Sequence, residues 1–93
     1  MMKNILVTET TKQFRKDLER IKRQGKDLNK LKEITDALFA QEKLPMKNRN
    51  HRLHGYYVNK WECHIEPDWL LIYTIDASFL RLERTGSHSD LFE

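Results

Sequence analysis

Apolar residues recur at helical spacing in the front of the chain and at extended spacing in the back. "ILVT" at 5–8 is a short strand candidate. "TTKQ" at 10–13 then predicts a helix start, with Thr10 as N-cap and Gln13 in the capping-box position. Phe14, Leu18 and Ile21 follow on one helical face, and Gly25 ends the run. Asp27 caps a second predicted helix, whose apolar stripe is Leu28, Leu31, Ile34, Leu38 and Phe39. Two such helices in succession predict a hairpin laid on a sheet.

The back of the chain reads as strands. Residues 42–55 carry turn formers and no acid after Glu42, which predicts a loop or irregular lead-in. "YYVNKWECHIE" (56–66), "WLLIYTI" (69–75) and "FLRLERT" (79–85) follow, separated by "EPD" and "DAS". Turns that short imply an antiparallel meander. "WLLIYTI" is apolar on both faces and so belongs in the centre. "GSHSDLFE" ends the chain as a turn with one helical turn. The expected fold class is α+β: a short N-terminal strand and a two-helix hairpin on a mostly antiparallel sheet, with residues 1–93 as one domain.

Charge adds a direction. Through Lys60 there are 15 Lys and Arg against 7 Asp and Glu; from Trp61 onward there are 2 against 7. The basic front section predicts an anionic partner such as nucleic acid or an acidic protein segment, although a solvated helix face has the same composition. The single cysteine, Cys63, excludes an intrachain disulfide. No apolar run matches a signal peptide or a membrane span, so a cytoplasmic protein without a membrane partner is expected.

Candidate chemistry gathers at the strands. In 61–66 the alternation sets Trp61, Cys63 and Ile65 against Glu62, His64 and Glu66. Asp68 follows the Pro67 turn, and His88 lies past Gly86. Leu80, Leu82 and Arg84 are expected to share one face of the last strand. His51 sits in the basic lead-in. His51, His64, Asp68, Arg84 and His88 thus have a route to one sheet surface. Such a set suits cleavage of RNA by its own 2′-hydroxyl, which needs a base, an acid and a cation for the phosphorane. Histidine serves in either proton role, and arginine grips phosphate by paired hydrogen bonds. Trp69 and Phe92 offer stacking surfaces for bases. Each residue also has a plainer reading: Asp68 as a turn former, Arg84 paired with Glu62 or Glu66, Trp69 facing the core, Phe92 pinning the terminus. His51 and His54 have helical spacing but lie in a loop, without a thiolate or acid to complete a metal set. No metal or other cofactor is expected, and His54 has no assignable role.

"DLNKLK" (27–32), "NHRLHG" (50–55), "CHIEPDWLLIY" (63–73) and "LRLERTGSHSDLF" (80–92) resemble the YafQ-type toxins of the RelE/ParE superfamily, over nearly the whole chain after residue 10. The resemblance implies a toxin of a bacterial type II toxin–antitoxin module: a small α+β nuclease that cuts mRNA at codons in the ribosomal A site. It implies a cognate antitoxin as partner, the ribosome with bound mRNA as target, and operator DNA reached only through the antitoxin complex. By the same resemblance His51, His64, Asp68, Arg84 and His88 are the catalytic set, with Arg84 on phosphate and His88 as general acid. The base is His51, His64 or Asp68, and Asp68 is a candidate to orient His64. Trp69 and Phe92 match aromatics of the site. Lys47, Arg49, Arg52 and Lys60 supply the basic surface for RNA.

One position departs from the pattern. Many relatives carry arginine before the acid in "R-[DE]-x-H", where this chain has Trp61. The competing expectation is a non-catalytic antitoxin-binding module or operon co-repressor, or a gyrase-directed toxin of the same fold. The complete histidine set favours the nuclease.

Overall fold

The computed structural model describes residues 6–92 and contains one five-stranded sheet. In chain order the elements are β1 (Val7–Thr10), α1 (Lys12–Arg23), α2 (Leu28–Phe39), β2 (His51–Arg52), β3 (Trp61–Glu66), β4 (Trp69–Ile75), β5 (Phe79–Gly86) and α3 (His88–Phe92). The strand order is β1-β5-β4-β3-β2. β1 runs parallel to β5, and every other pair is antiparallel. β4 is central, as its two apolar faces require.

The helices form where local chemistry allows, with one shift. Thr11, not Thr10, caps α1: its Oγ1 accepts the Phe14 N–H at 2.9 Å and donates to Glu83 O at 2.7 Å. Thr10 is still a strand residue, opposite Leu82. The expected capping box is therefore absent, and Gln13 Nε2 donates to Asp17 instead. β1 lies at 7–10 rather than 5–8, and Ile5 is outside the described residues. Asp27 caps α2 as expected, accepting the Asn29 N–H at 3.0 Å. Gly25 takes φ +77°, which lets the chain reverse between the helices.

Core residues occupy both sheet faces. Phe14, Ile21, Leu31, Ile34 and Leu38 pack on the face carrying Cys63, Trp69, Leu71, Tyr73, Leu80 and Leu82. Phe39, expected in that stripe, is exposed. The opposite face has a smaller cluster of Leu70, Ile72 and Leu91, flanked by Leu53 and Tyr57. It is covered by the segment before β3 and by α3. The strand expected at 56–66 begins only at Trp61, because Gly55–Tyr57 form a 3-10 turn and Asn59 takes φ 71°. Two residues of the lead-in instead form β2, the outer strand beside β3.

Two irregularities decide where side chains point. In β3, His64 opposes Leu70 and Glu66 opposes Trp69, which leaves Ile65 as a bulge. Glu66 is thereby turned to the helix side, where it meets Lys30 at 2.7 Å and Lys26 at 3.6 Å. In β5, Leu82 opposes Tyr73 and Arg84 opposes Ile72, with Glu83 as the extra residue. Arg84 therefore does not share a face with Leu80 and Leu82. It stands on the smaller-cluster face, opposite Ile72, whose other strand partner is Glu62.

Candidate active site

Three histidines lie in a row on that face. The ring centroids of His51 and His64 are 6.4 Å apart, and those of His64 and His88 are 6.0 Å apart. β2 delivers His51, β3 delivers His64, and the first residue of α3 delivers His88. Phe92 follows His88 at 6.0 Å, and Tyr57 meets Phe92 edge-on at 5.5 Å. The row crosses from one edge of the sheet towards α3.

Each imidazole is held by an identifiable acceptor. His51 Nδ1 lies 2.7 Å from Arg49 O, and His64 Nδ1 lies 3.2 Å from Pro67 O. A carbonyl only accepts, so both Nδ1 atoms carry their proton. That turns both Nε2 atoms toward Glu62 Oε1, at 3.4 Å from His51 and 3.5 Å from His64. Glu62 is only 4% exposed. Both imidazoles therefore converge on one oxygen of a single buried carboxylate.

Asp68 serves His88, not His64. His88 Nδ1 is 2.9 Å from Asp68 Oδ1, and the His88 backbone N–H donates to the same oxygen at 3.0 Å. These two bonds hold the exposed Asp68 carboxyl below its usual range. His88 Nε2 then faces away from its anchor, on a half-exposed side chain. α3 is fixed by a reciprocal cap: Asp90 N donates to Ser87 Oγ, and Ser87 N donates to Asp90 Oδ2, both at 3.1 Å. Gly86 precedes it at a point of close approach, since a Cβ there would stand 2.5 Å from Arg20 Nη2.

Arg84 lies on β5, the strand that leads into α3. Its Nε donates to Asp17 Oδ2 at 2.7 Å and its Nη2 to Asp17 Oδ1 at 3.2 Å. Nη1 points the other way, 3.4 Å from the Tyr57 hydroxyl. The partner is thus Asp17, rather than the Glu62 or Glu66 that the strand pattern offers.

The remaining expected residues divide. Phe92 is exposed and lies in the row. Trp69 is not in the site: it is wholly buried on the helix side, and its indole N–H donates to Thr85 Oγ1 at 2.9 Å. It has no face for a base. Lys47 and Arg49 are exposed and line, with His64, a groove of about 610 Å³ between α2 and β3. Arg52 lies over the Trp61 ring at 5.6 Å, and Lys60 is 3.1 Å from Glu83. Trp61 itself packs against the helix-side core, away from the histidines. His54 is exposed and apart from the row.

Glu62, Asp17 and Tyr57 are site residues that the sequence reading missed. Glu62 was accessible, because alternation put it on the His64 face next to a basic lead-in. Asp17 gave no signal, being an acid inside a charged helix. Among the described residues no group of three or more His, Cys, Asp or Glu side chains is arranged to hold a metal ion.

Comparison with known proteins identifies the family and the fold. Residues 6–93 match the family model described as the bacterial toxin of type II toxin–antitoxin system, YafQ. The chain is 39% identical to the mRNA interferase toxin YafQ of Escherichia coli K12 over 85 residues, covering 90% of this chain and 92% of that protein. It superposes on the crystal structure of YafQ from E. coli BL21(DE3) with a TM-score of 0.91 at 36% identity, covering 95% of this chain and 99% of that one. It superposes equally on a chain of the E. coli DinJ–YafQ toxin–antitoxin complex, with a TM-score of 0.90 at 36% identity, covering 97% and 100%. The chain belongs to the YafQ family of bacterial type II toxin–antitoxin toxins.

Proposed function

We propose that this chain is an mRNA endonuclease that cuts codons in the ribosomal A site and is silenced by a cognate antitoxin. The carrying observation is the row of three imidazoles whose two ends are governed by different carboxylates, Glu62 and Asp68. Its relative in E. coli is named an mRNA interferase and is found in complex with DinJ.

The step runs as an in-line transfer. A nucleotide 2′-hydroxyl attacks its own 3′-phosphate, and its proton passes to the Glu62-linked His64, with His51 on the same carboxylate. Arg84 holds the charge that builds on the phosphorane oxygens. His88 gives a proton to the departing 5′-oxygen. One P–O bond forms and one breaks, which leaves a 2′,3′-cyclic phosphate and a 5′-hydroxyl. In this reading a side chain serves each proton and each developing charge, and the step needs no metal. Phe92 offers its exposed ring for stacking.

The exposed Lys12, Arg15, Lys16, Lys22 and Arg23 of α1, with Lys47, Arg49 and Arg52, present the cationic surface that ribosomal RNA would take. So small a protein relies on the ribosome to position the strand. Operator DNA is reached through the antitoxin complex. The cytoplasm is where translating ribosomes are met, and no helix among the described residues is long and apolar enough to cross a membrane.

The test compares purified protein on naked mRNA and on the same mRNA in stalled ribosome complexes. Cuts within the A-site codon of the ribosome-bound strand, ending in cyclic phosphate and absent from naked mRNA, are expected. Intact mRNA in both samples, with translation still arrested, would move the target to gyrase or to another machine.

A further inference from the structure

Asp17 is the best-satisfied carboxylate in the described structure, and the step above does not use it. It is 0% exposed and lies mid-way along α1. Its Oδ1 accepts from Gln13 Nε2 at 3.2 Å, Arg20 Nη1 at 3.0 Å and Arg84 Nη2 at 3.2 Å. Its Oδ2 accepts from Arg84 Nε at 2.7 Å and from the Thr85 N–H at 3.1 Å. Burial pulls its carboxyl upward, but the bonds from Arg84, Thr85 and Gln13 outweigh that and hold it below the usual range.

The local topology explains why a carboxylate is there. β1 pairs with β5 only as far as Leu82. Beyond it, among the described residues, the outer edge of β5 has no strand, and side chains of α1 and its N-cap satisfy that edge. Thr11 Oγ1 donates to Glu83 O, Arg20 Nη2 donates to Thr85 O, and Asp17 accepts the Thr85 N–H. An edge donor needs an acceptor, but a neutral one would do. A charged carboxylate that also takes the Nε–Nη2 side of Arg84 goes further. It fixes the guanidinium plane and leaves the Nη1 side turned to Tyr57 and α3. A guanidinium has two edges able to form paired bonds with an oxyanion. Asp17 occupies one of them.

We propose that Asp17, 67 residues from Arg84 in sequence, is the positioning residue that aims the Arg84 guanidinium at the scissile phosphate. Arg20 extends the clamp, since it touches Asp17 through Nη1 and lies 3.5 Å from Asp90 of α3, the helix that carries His88. Arg84 and the acid are thereby set from one helix. This inference rests on the nuclease reading above.

The experiment is a double-mutant cycle, read by single-turnover cleavage of ribosome-bound mRNA. Asp17→Asn keeps the volume and is expected to slow cleavage about 100-fold in the wild-type background, the scale of a misplaced catalytic group. In an Arg84→Ala background the same change is expected to cost under about threefold. Equal losses in both backgrounds, or no loss in the first, would overturn the proposal. Arg84→Lys covers the case in which Asp17→Asn does not fold: lysine leaves Asp17 paired with a cation but cannot present two edges. Its rate should fall nearly as far as that of Arg84→Ala, and near-normal cleavage would refute the aiming role. Absence of cleavage by the wild type would defeat the nuclease reading instead. The clamp is then read from the Arg84 Nε–H proton resonance, slowly exchanging in wild type and lost in Asp17→Asn if the clamp exists. Its persistence in the variant would count against the clamp.

Discussion

His88 Nδ1 and its own backbone N–H converge on a single oxygen of Asp68, at 2.9 and 3.0 Å. Asp68 thus fixes both the ring and the start of α3, and it leaves Nε2 for substrate. Because Asp68 is exposed, its role is separable from folding. Asp68→Asn should lower cleavage at least about 10-fold, and His88→Ala by about 10²–10⁴-fold, the usual worth of a general acid. Thermal melts of both variants should stay within a few degrees of wild type. A melt collapse alongside the rate loss would assign Asp68 a structural role instead.

Trp69 and Phe92 should behave oppositely. Trp69→Phe removes a buried indole donor and core volume, so it should destabilise the fold by about 1–3 kcal/mol. Phe92→Ala should leave the melt nearly unchanged and weaken the bound RNA by about 1–3 kcal/mol, the scale of one lost base stack. Equilibrium denaturation and binding of a non-cleavable 2′-deoxy analogue on the ribosome separate the two effects.

Sequence periodicity carried most of the fold, because amphipathic helices and a two-sided apolar strand have unmistakable spacing. It placed α2, the meander, the central strand and the face of His64. It could not place the bulges at Ile65 and Glu83, since each inserts one residue that no alternation marks. Those two residues turn Glu66 away from the site and Arg84 into it. Asp17 stayed invisible for a related reason. Its importance comes from an unpaired strand edge 68 residues away, at Thr85.

Cys63 gives a chemical readout of packing. Burial, reinforced by the nearby Glu62 charge, pushes its thiol up to about 12. Thiolate is the reactive form, so the native protein should resist a thiol reagent at pH 8 and react only on unfolding. Fast labelling of folded protein would show that the helix-side core opens readily.

Asp17 predicts a slope in acid. Its carboxyl sits below the ordinary range in the fold, so the unfolded chain binds its proton first as pH falls. The stability it contributes is complete above about pH 4 and is lost as pH drops through the folded value. Denaturant titrations between about pH 5 and pH 2 should show stability falling with acid, and a shallower fall in Asp17→Asn. An identical slope in both proteins would remove Asp17 from the acid response.

His88 is the acid of the proposed RNA-cleaving site. The most direct measurement is induced expression of wild type and His88→Ala without antitoxin, with 5′-end mapping of cellular mRNA. In-frame cuts at a restricted codon set in the wild type, absent in His88→Ala although that variant still binds antitoxin, are predicted. Growth arrest by the wild type without such cuts, or equal cutting by His88→Ala, would contradict it.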